Sequence, residues 1–152
     1  MIYRTRYHSP IGTMIIAADD EAIVALDFSE EELSSSFETD LLLQAKNQLD
    51  EYYRGERKTF SLPLKANGTV FQERVWQALL TIPYAETRSY GEIAAQIGNP
   101  KASRAVGMAN NRNPISIIIP CHRVIGSDGK LVGYGGGMHR KVWLLDLEKG
   151  QI

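Results

Sequence analysis

The apolar positions of this chain change period once, near residue 40. Residues 2–8 alternate around Ile2, Arg4, Arg6 and His8, Ser9-Pro10-Ile11-Gly12 supplies turn residues, and 13–18 is apolar again, so the pattern predicts a β-hairpin. Asp19-Asp20 breaks that run, and 22–28 predicts a third strand, antiparallel to its neighbours. After an acidic loop over 29–37 the spacing lengthens. Leu42, Ala45, Leu49, Tyr52 and Tyr53 recur at helical intervals until Gly55 stops them, and this stripe reads as core.

A polar stretch broken by Pro63 and Gly68, with a short strand at 59–62, marks a domain boundary. The reading is an N-terminal α/β domain with its linker over 1–66 and a second domain over 67–152. Thr69 with Gln72 forms a capping box ahead of Phe71, Val75, Ala78, Leu79 and Ile82, a helical face that ends at Pro83, with Trp76 at its edge as a packing residue. Ser89 with Glu92 repeats the box. The helix it opens runs to Ile97, Gly98-Asn99-Pro100 turns the chain, and a second helix runs from Lys101 to about Asn111, which gives a helix-turn-helix over 89–111. That second helix is built of small residues, Ala102, Ser103, Ala105, Gly107 and Ala109, so another backbone can come close, while Lys101, Arg104 and Met108 share one side. Pro114 and Pro120 bracket a short buried strand at 115–119. A glycine-rich loop follows, in which Tyr134-Gly135-Gly136-Gly137 permits close backbone approach to a ligand. A last helix over 138–148 turns Val142, Trp143, Leu145 and Leu147 inward. The fold class is α+β: a small N-terminal antiparallel-sheet domain with a helix, then a mostly helical C-terminal domain containing the helix-turn-helix.

Composition narrows what such a chain does. At 152 residues it buries a core without staples, and with one cysteine it forms no intramolecular disulfide, which points to a reducing cytoplasm. No stretch approaches the ~18 apolar residues of a membrane span, so no membrane partner is expected, and no obligate protein partner is evident. The net charge of -1 conceals an asymmetry: 1–66 carry 7 Lys/Arg against 12 Asp/Glu, and 101–152 carry 8 against 3. The basic end is either a nucleic-acid surface or a solvated face.

The single cysteine lies in that basic end, within Pro120-Cys121-His122-Arg123-Val124. A thiol with an ordinary pKa near 8.5 is mostly protonated at neutral pH, so a nucleophilic Cys121 needs a base or local positive charge. His122 is adjacent, and it could act through a water or pair with a carboxylate downstream, Glu148 or Asp146. A buried inert cysteine is the alternative. A metal site is not expected, because the only further soft ligands are His8 and His139, and Gly135-Gly136-Gly137 lacks the Lys and Ser/Thr of a phosphate-binding loop.

Pro120-Cys121-His122-Arg123-Val124, preceded by Arg104-Ala105-Val106-Gly107 and Asn113-Pro114 and followed by Gly133-Tyr134 and a Trp-Leu-Leu helix, resembles the 6-O-alkylguanine-DNA alkyltransferases over residues 69–150. The resemblance implies direct-reversal DNA repair without a cofactor. An alkylated guanine, or thymine, leaves double-stranded DNA on the minor-groove side, and its alkyl group passes irreversibly to Cys121 in a single turnover. It further implies His122 as base through a water, Glu148 as the carboxylate that orients it, and Asn113 as a brace for the active-site turn. Tyr90 would drive base rotation and Arg104 would fill the stack, with Ala105, Lys101, Arg112 and Arg123 on the DNA-binding side and Val124, Tyr134 and Gly135 around the base. A helix-turn-helix DNA-binding or lesion-sensing protein with a structural Cys121 is the alternative, and a thiol hydrolase a third reading.

Overall fold

The computed structural model describes residues 1–131, 134 and 136–152 and is an α+β protein of two compact units, Met1–Ala66 and Asn67–Ile152. In the first unit, β1 (Tyr3–Ser9), β2 (Gly12–Ala18) and β3 (Ile23–Phe28) form an antiparallel sheet in the order β1-β2-β3. Tyr3 lies opposite Ala18 and Ser9 opposite Gly12, so the hairpin closes over two residues; Ser9 Oγ donates to Gly12 O at 2.6 Å and accepts from Ile11 N at 3.2 Å. Helix α1 (Asp40–Tyr53) is capped by Thr39, whose side chain accepts from Leu42 N. It packs on β1 and β2 with Leu42, Ala45, Leu49, Tyr52 and Tyr53 buried, the stripe expected from the sequence. The strand expected at 59–62 does not form. The chain instead makes one parallel bridge a little later, with Ile23 N donating to Pro63 O at 2.8 Å and Lys65 N to Ile23 O at 2.9 Å. Prolines cannot donate to a ladder, so Pro63 allows contact only through its carbonyl.

The second unit contains α2 (Val70–Leu79), α3 (Tyr90–Gln96), α4 (Ser103–Asn111) and α5 (Met138–Glu148). Both capping boxes are present, at Thr69/Gln72 and Ser89/Glu92, each satisfying orphan helix N–H groups reciprocally. The turn between α3 and α4 uses Gly98 at φ 82°, and α4 begins at Ser103, two residues after Lys101, because Ala102 N is spent on Asn99 O in the turn. Trp76 is buried and its Nε1 donates to Ala109 O at 2.9 Å, which ties α2 to α4. Gly68 makes room for it, since a Cβ there would meet the indole at 2.6 Å.

Two further features of this unit differ from the pattern. The segment 115–119 is a coil of tight turns, with Ile118 N bonded to Ser116 O at 2.8 Å, Ile119 N to Ile115 O at 3.1 Å and Ile117 at φ 72°. An apolar run bounded by prolines looks like a strand because both bury their side chains; what separates them here is a β-branched residue held in the left-handed region by its surroundings. The second difference is the phase of α5, whose buried residues are Lys141, Leu144, Leu145, Leu147 and Glu148, with Val142 39% exposed. Polar residues occupy its inner face. A two-residue parallel pairing of β4 (Arg88–Ser89) with β5 (Val124–Ile125) was not foreseen. No helix among the described residues is long and apolar enough to cross a membrane.

Replacing Trp76 with Phe removes the hydrogen bond to Ala109 together with one of the two fused rings at a buried site. The expected result is a loss of about 2 kcal/mol of unfolding free energy in urea titration, at unchanged slope. An unchanged midpoint would mean the α2–α4 tie contributes nothing.

Candidate active site

Cys121 sits where the turn-rich segment meets a 3-10 turn, Cys121–Arg123, and is 4% exposed. Asn113 knits the approach: its Nδ2 donates to Ile119 O at 2.8 Å and Ile115 O at 3.3 Å, and its Oδ1 accepts from Ile115 N at 3.0 Å. From α4, Asn110 Nδ2 donates to Cys121 O at 3.2 Å. The backbone around the sulfur is therefore fixed by two buried amides. Burial pushes the Cys121 thiol up, opposed by hydrogen bonding from Asn113 and Tyr134 and by the positive charge of Lys141.

His122, fully buried, shares a 2.6 Å hydrogen bond between its Nε2 and Glu148 Oε2. Arg123 grips the same carboxylate with a fork, Nε to Oε1 at 2.8 Å and Nη2 to Oε2 at 3.0 Å, and Ala85 N adds a bond to Oε1 at 3.2 Å. Burial pushes Glu148 up, but these donors overcome it and hold the carboxyl well below the usual range, so it is ionised. His122 is pushed below its ordinary value by burial, against the pull of Glu148 and with Arg123 and Lys141 adding to it, so the ring is neutral at pH 7. A neutral imidazole has one N–H, and the ionised Glu148 accepts it from Nε2. Nδ1 then carries a lone pair, and it has no hydrogen-bond partner among the described residues. A neutral imidazole of fixed tautomer thus lies one residue from the thiol.

Lys141 is completely buried on α5 and donates from Nζ to Val124 O at 2.5 Å. Burial brings it down to about 8, with the charge of Cys121 pulling the other way. It thus contributes positive charge at the thiol below that pH. Tyr90 opens α3 half-buried, its ring 3.7 Å from where a Cβ on Gly107 would lie, and its hydroxyl is raised by burial and by Cys121. Val124 is buried beside the cysteine turn. Tyr134 is part-exposed, and Gly135 lies outside the described residues.

Lys101, Arg104, Ala105 and Arg112 are all exposed on or beside α4, a basic surface with one small residue between its cations. Arg123 does not join them. It is 7% exposed, its guanidinium is spent on Glu148 and, through Nη1, on Ile82 O at 2.8 Å, and it lies 5.7 Å from the Tyr84 ring centroid, so it cannot reach a phosphate in this arrangement. Asp146, the other carboxylate weighed for His122, is not its partner.

Comparison with known proteins bears on what this geometry does. Residues 70–150 match the family model described as 6-O-methylguanine DNA methyltransferase, DNA binding domain, and residues 2–66 match its ribonuclease-like domain. The chain belongs to the 6-O-methylguanine DNA methyltransferase family. Family members with close sequences are named methylated-DNA–protein-cysteine methyltransferase. The protein of Mycobacterium leprae is 52% identical, over 100% of this chain and 95% of its own, and the constitutive protein of Bacillus subtilis is 49% identical, over 98% and 96%. The crystal structure of the Mycobacterium tuberculosis methyltransferase superimposes with a TM-score of 0.90 at 49% identity over 100% of this chain and 95% of its own. The same mycobacterial protein in complex with DNA gives 0.90 at 51% identity over 97% and 93%. Membership makes the chain a DNA-repair methyltransferase that accepts alkyl groups on cysteine. Lys141, Asn110 and Ala85 are the residues around Cys121 and Glu148 that the sequence reading missed.

Glu148→Gln leaves Arg123 buried without its counter-charge. The expected loss is about 3–5 kcal/mol of stability at pH 7. Because the folded carboxyl is depressed from 4.5, its contribution is full above that value and is lost as pH falls below it, so urea titrations at successive pH values should show the two proteins converging only in acid. A constant difference down to the lowest pH would contradict the ionised carboxylate.

Proposed function

We propose that Cys121 takes the alkyl group of a 6-O-alkylguanine, or of a 4-O-alkylthymine, that has rotated out of duplex DNA entered from the minor groove. The observation that carries this reading is the neutral His122 held at Nε2 by ionised Glu148, with Nδ1 left as an acceptor beside the chain's only thiol. His122 removes the thiol proton through a water. The thiolate attacks the alkyl carbon in line, the S–C bond forms as the C–O bond breaks, and the electron pair passes to the base. Guanine takes up one proton in place of the one the thiol lost, so the step balances with the protein and the lesion alone. The product thioether is stable, which makes the protein single-use. Lys141 favours the thiolate electrostatically.

Asn113 braces the turn that carries the sulfur. On the DNA side, α4 lies close to the minor groove because its small residues admit the backbone; Lys101 and Arg112 neutralise phosphates, and Ala105 permits the approach. Tyr90 presses on the strand to rotate the base, Arg104 enters the stack in its place, and Val124, Tyr134 and Gly135 line the base pocket. Flipping costs a few kcal/mol and least for a base whose pairing an alkyl group has already spoiled, so lesion choice begins with the DNA. The setting is the cytoplasm. The burial of Cys121 favours a second reading, a lesion sensor with a structural cysteine, and the two differ in whether a covalent product forms.

Incubated with a stoichiometric duplex containing 6-O-methylguanine, the reduced protein should gain one methyl on the peptide that holds Cys121, read by mass spectrometry. Cys121→Ser should still bind the lesion and gain nothing. Arg104→Ala should slow transfer from duplex by about tenfold or more while leaving transfer from the free base intact. Folded, reduced wild-type protein that binds the lesion and stays unmodified would establish the sensor.

A further inference from the structure

Arg123 has more partners than an orienting role toward Glu148 requires. Its fork fills one lone pair on each Glu148 oxygen, while Nη1 reaches the carbonyl of Ile82 and the guanidinium lies over Tyr84. Ala85, held at φ 67°, returns a backbone N–H to the same carboxylate. Residues 82, 84 and 85 are thereby pinned at three points to one buried ion pair. Three residues on, Arg88 and Ser89 pair in parallel with Val124 and Ile125, which follow Arg123 directly. Ser89 is the N-cap of α3, and Tyr90 is its first residue.

We propose that Arg123 is a positioning residue with two outputs: through Glu148 it sets His122, and through the 82–89 connection it sets where Tyr90 stands relative to Cys121. One guanidinium would then hold the base-rotating and alkyl-accepting groups in register. Lysine cannot substitute, because a point charge on a flexible stem holds one oxygen at a time, whereas the planar fork grips both and still reaches Ile82.

This inference rests on the alkyl-transfer reading, and its test separates the two. 6-O-Benzylguanine, whose benzylic carbon is the more open to displacement, is supplied as the free base and built into a duplex; the free base needs His122 but no rotation. Arg123→Lys, shown folded by circular dichroism, should bind the duplex within about twofold of wild type. Its first-order transfer from duplex should fall about tenfold more than its transfer from the free base. Tyr84→Leu, which leaves every bond to Glu148 in place, should show the duplex-specific loss alone and keeps the test open if Arg123→Lys does not fold. Adding Tyr90→Ala to Arg123→Lys should cost less on duplex than the product of the single losses. Equal losses on both substrates, or none with either variant, would overturn the positioning role while leaving alkyl transfer standing. A wild-type protein that modifies itself with neither substrate would overturn both.

Discussion

One buried carboxylate, Glu148, fixes the chemistry of the C-terminal unit. Each of its oxygens takes two N–H donors: His122 and Arg123 on one, Arg123 and Ala85 on the other. A carboxylate removed from water is costly unless its lone pairs are filled, and here they are. Satisfying it draws together α5, the cysteine turn and the connection after α2. Stability and function share this interaction. The same bonds that offset the desolvation of Glu148 decide which nitrogen of His122 keeps its proton.

The sulfur is held from the opposite direction by amides rather than charges. Asn113 and Asn110 occupy the carbonyls of Ile115, Ile119 and Cys121, so the turn-rich segment has little latitude despite lacking regular structure. Ile117 in the left-handed region is a local cost that this bracing sustains. Lys141 completes the surroundings with a cation delivered from α5 onto Val124 O. The alkyl-acceptor site is thus assembled from short-range turns pinned by long-range polar contacts, whereas the basic residues Arg104 and Arg112 stay on the exposed side of α4.

Helices α1, α2 and α3 were legible from signals local to each. Thr69/Gln72 and Ser89/Glu92 announce α2 and α3, and the stripe of α1 needs no tertiary information. Cys121, His122 and Glu148 were legible as candidates from residue type and from family resemblance, but their distances were not. Elsewhere the pattern misled for a common reason. Periodicity turned Val142 inward and left Lys141 out of account, and the family resemblance set Arg123 on the DNA-binding side, although both cations are buried against partners remote in sequence. Nor does hydropathy separate a strand from a coil of turns when both are buried, as at 115–119.

The most direct measurement is nitrogen-15 NMR of the His122 ring at neutral pH. The account predicts a neutral imidazole protonated at Nε2, with Nδ1 resonating as an unprotonated acceptor, and a change toward the opposite tautomer in Glu148→Gln, where the ring stays neutral because the carboxylate that favoured its cation is gone. A ring protonated at Nδ1, or an imidazolium at pH 7 in the wild-type protein, would contradict it.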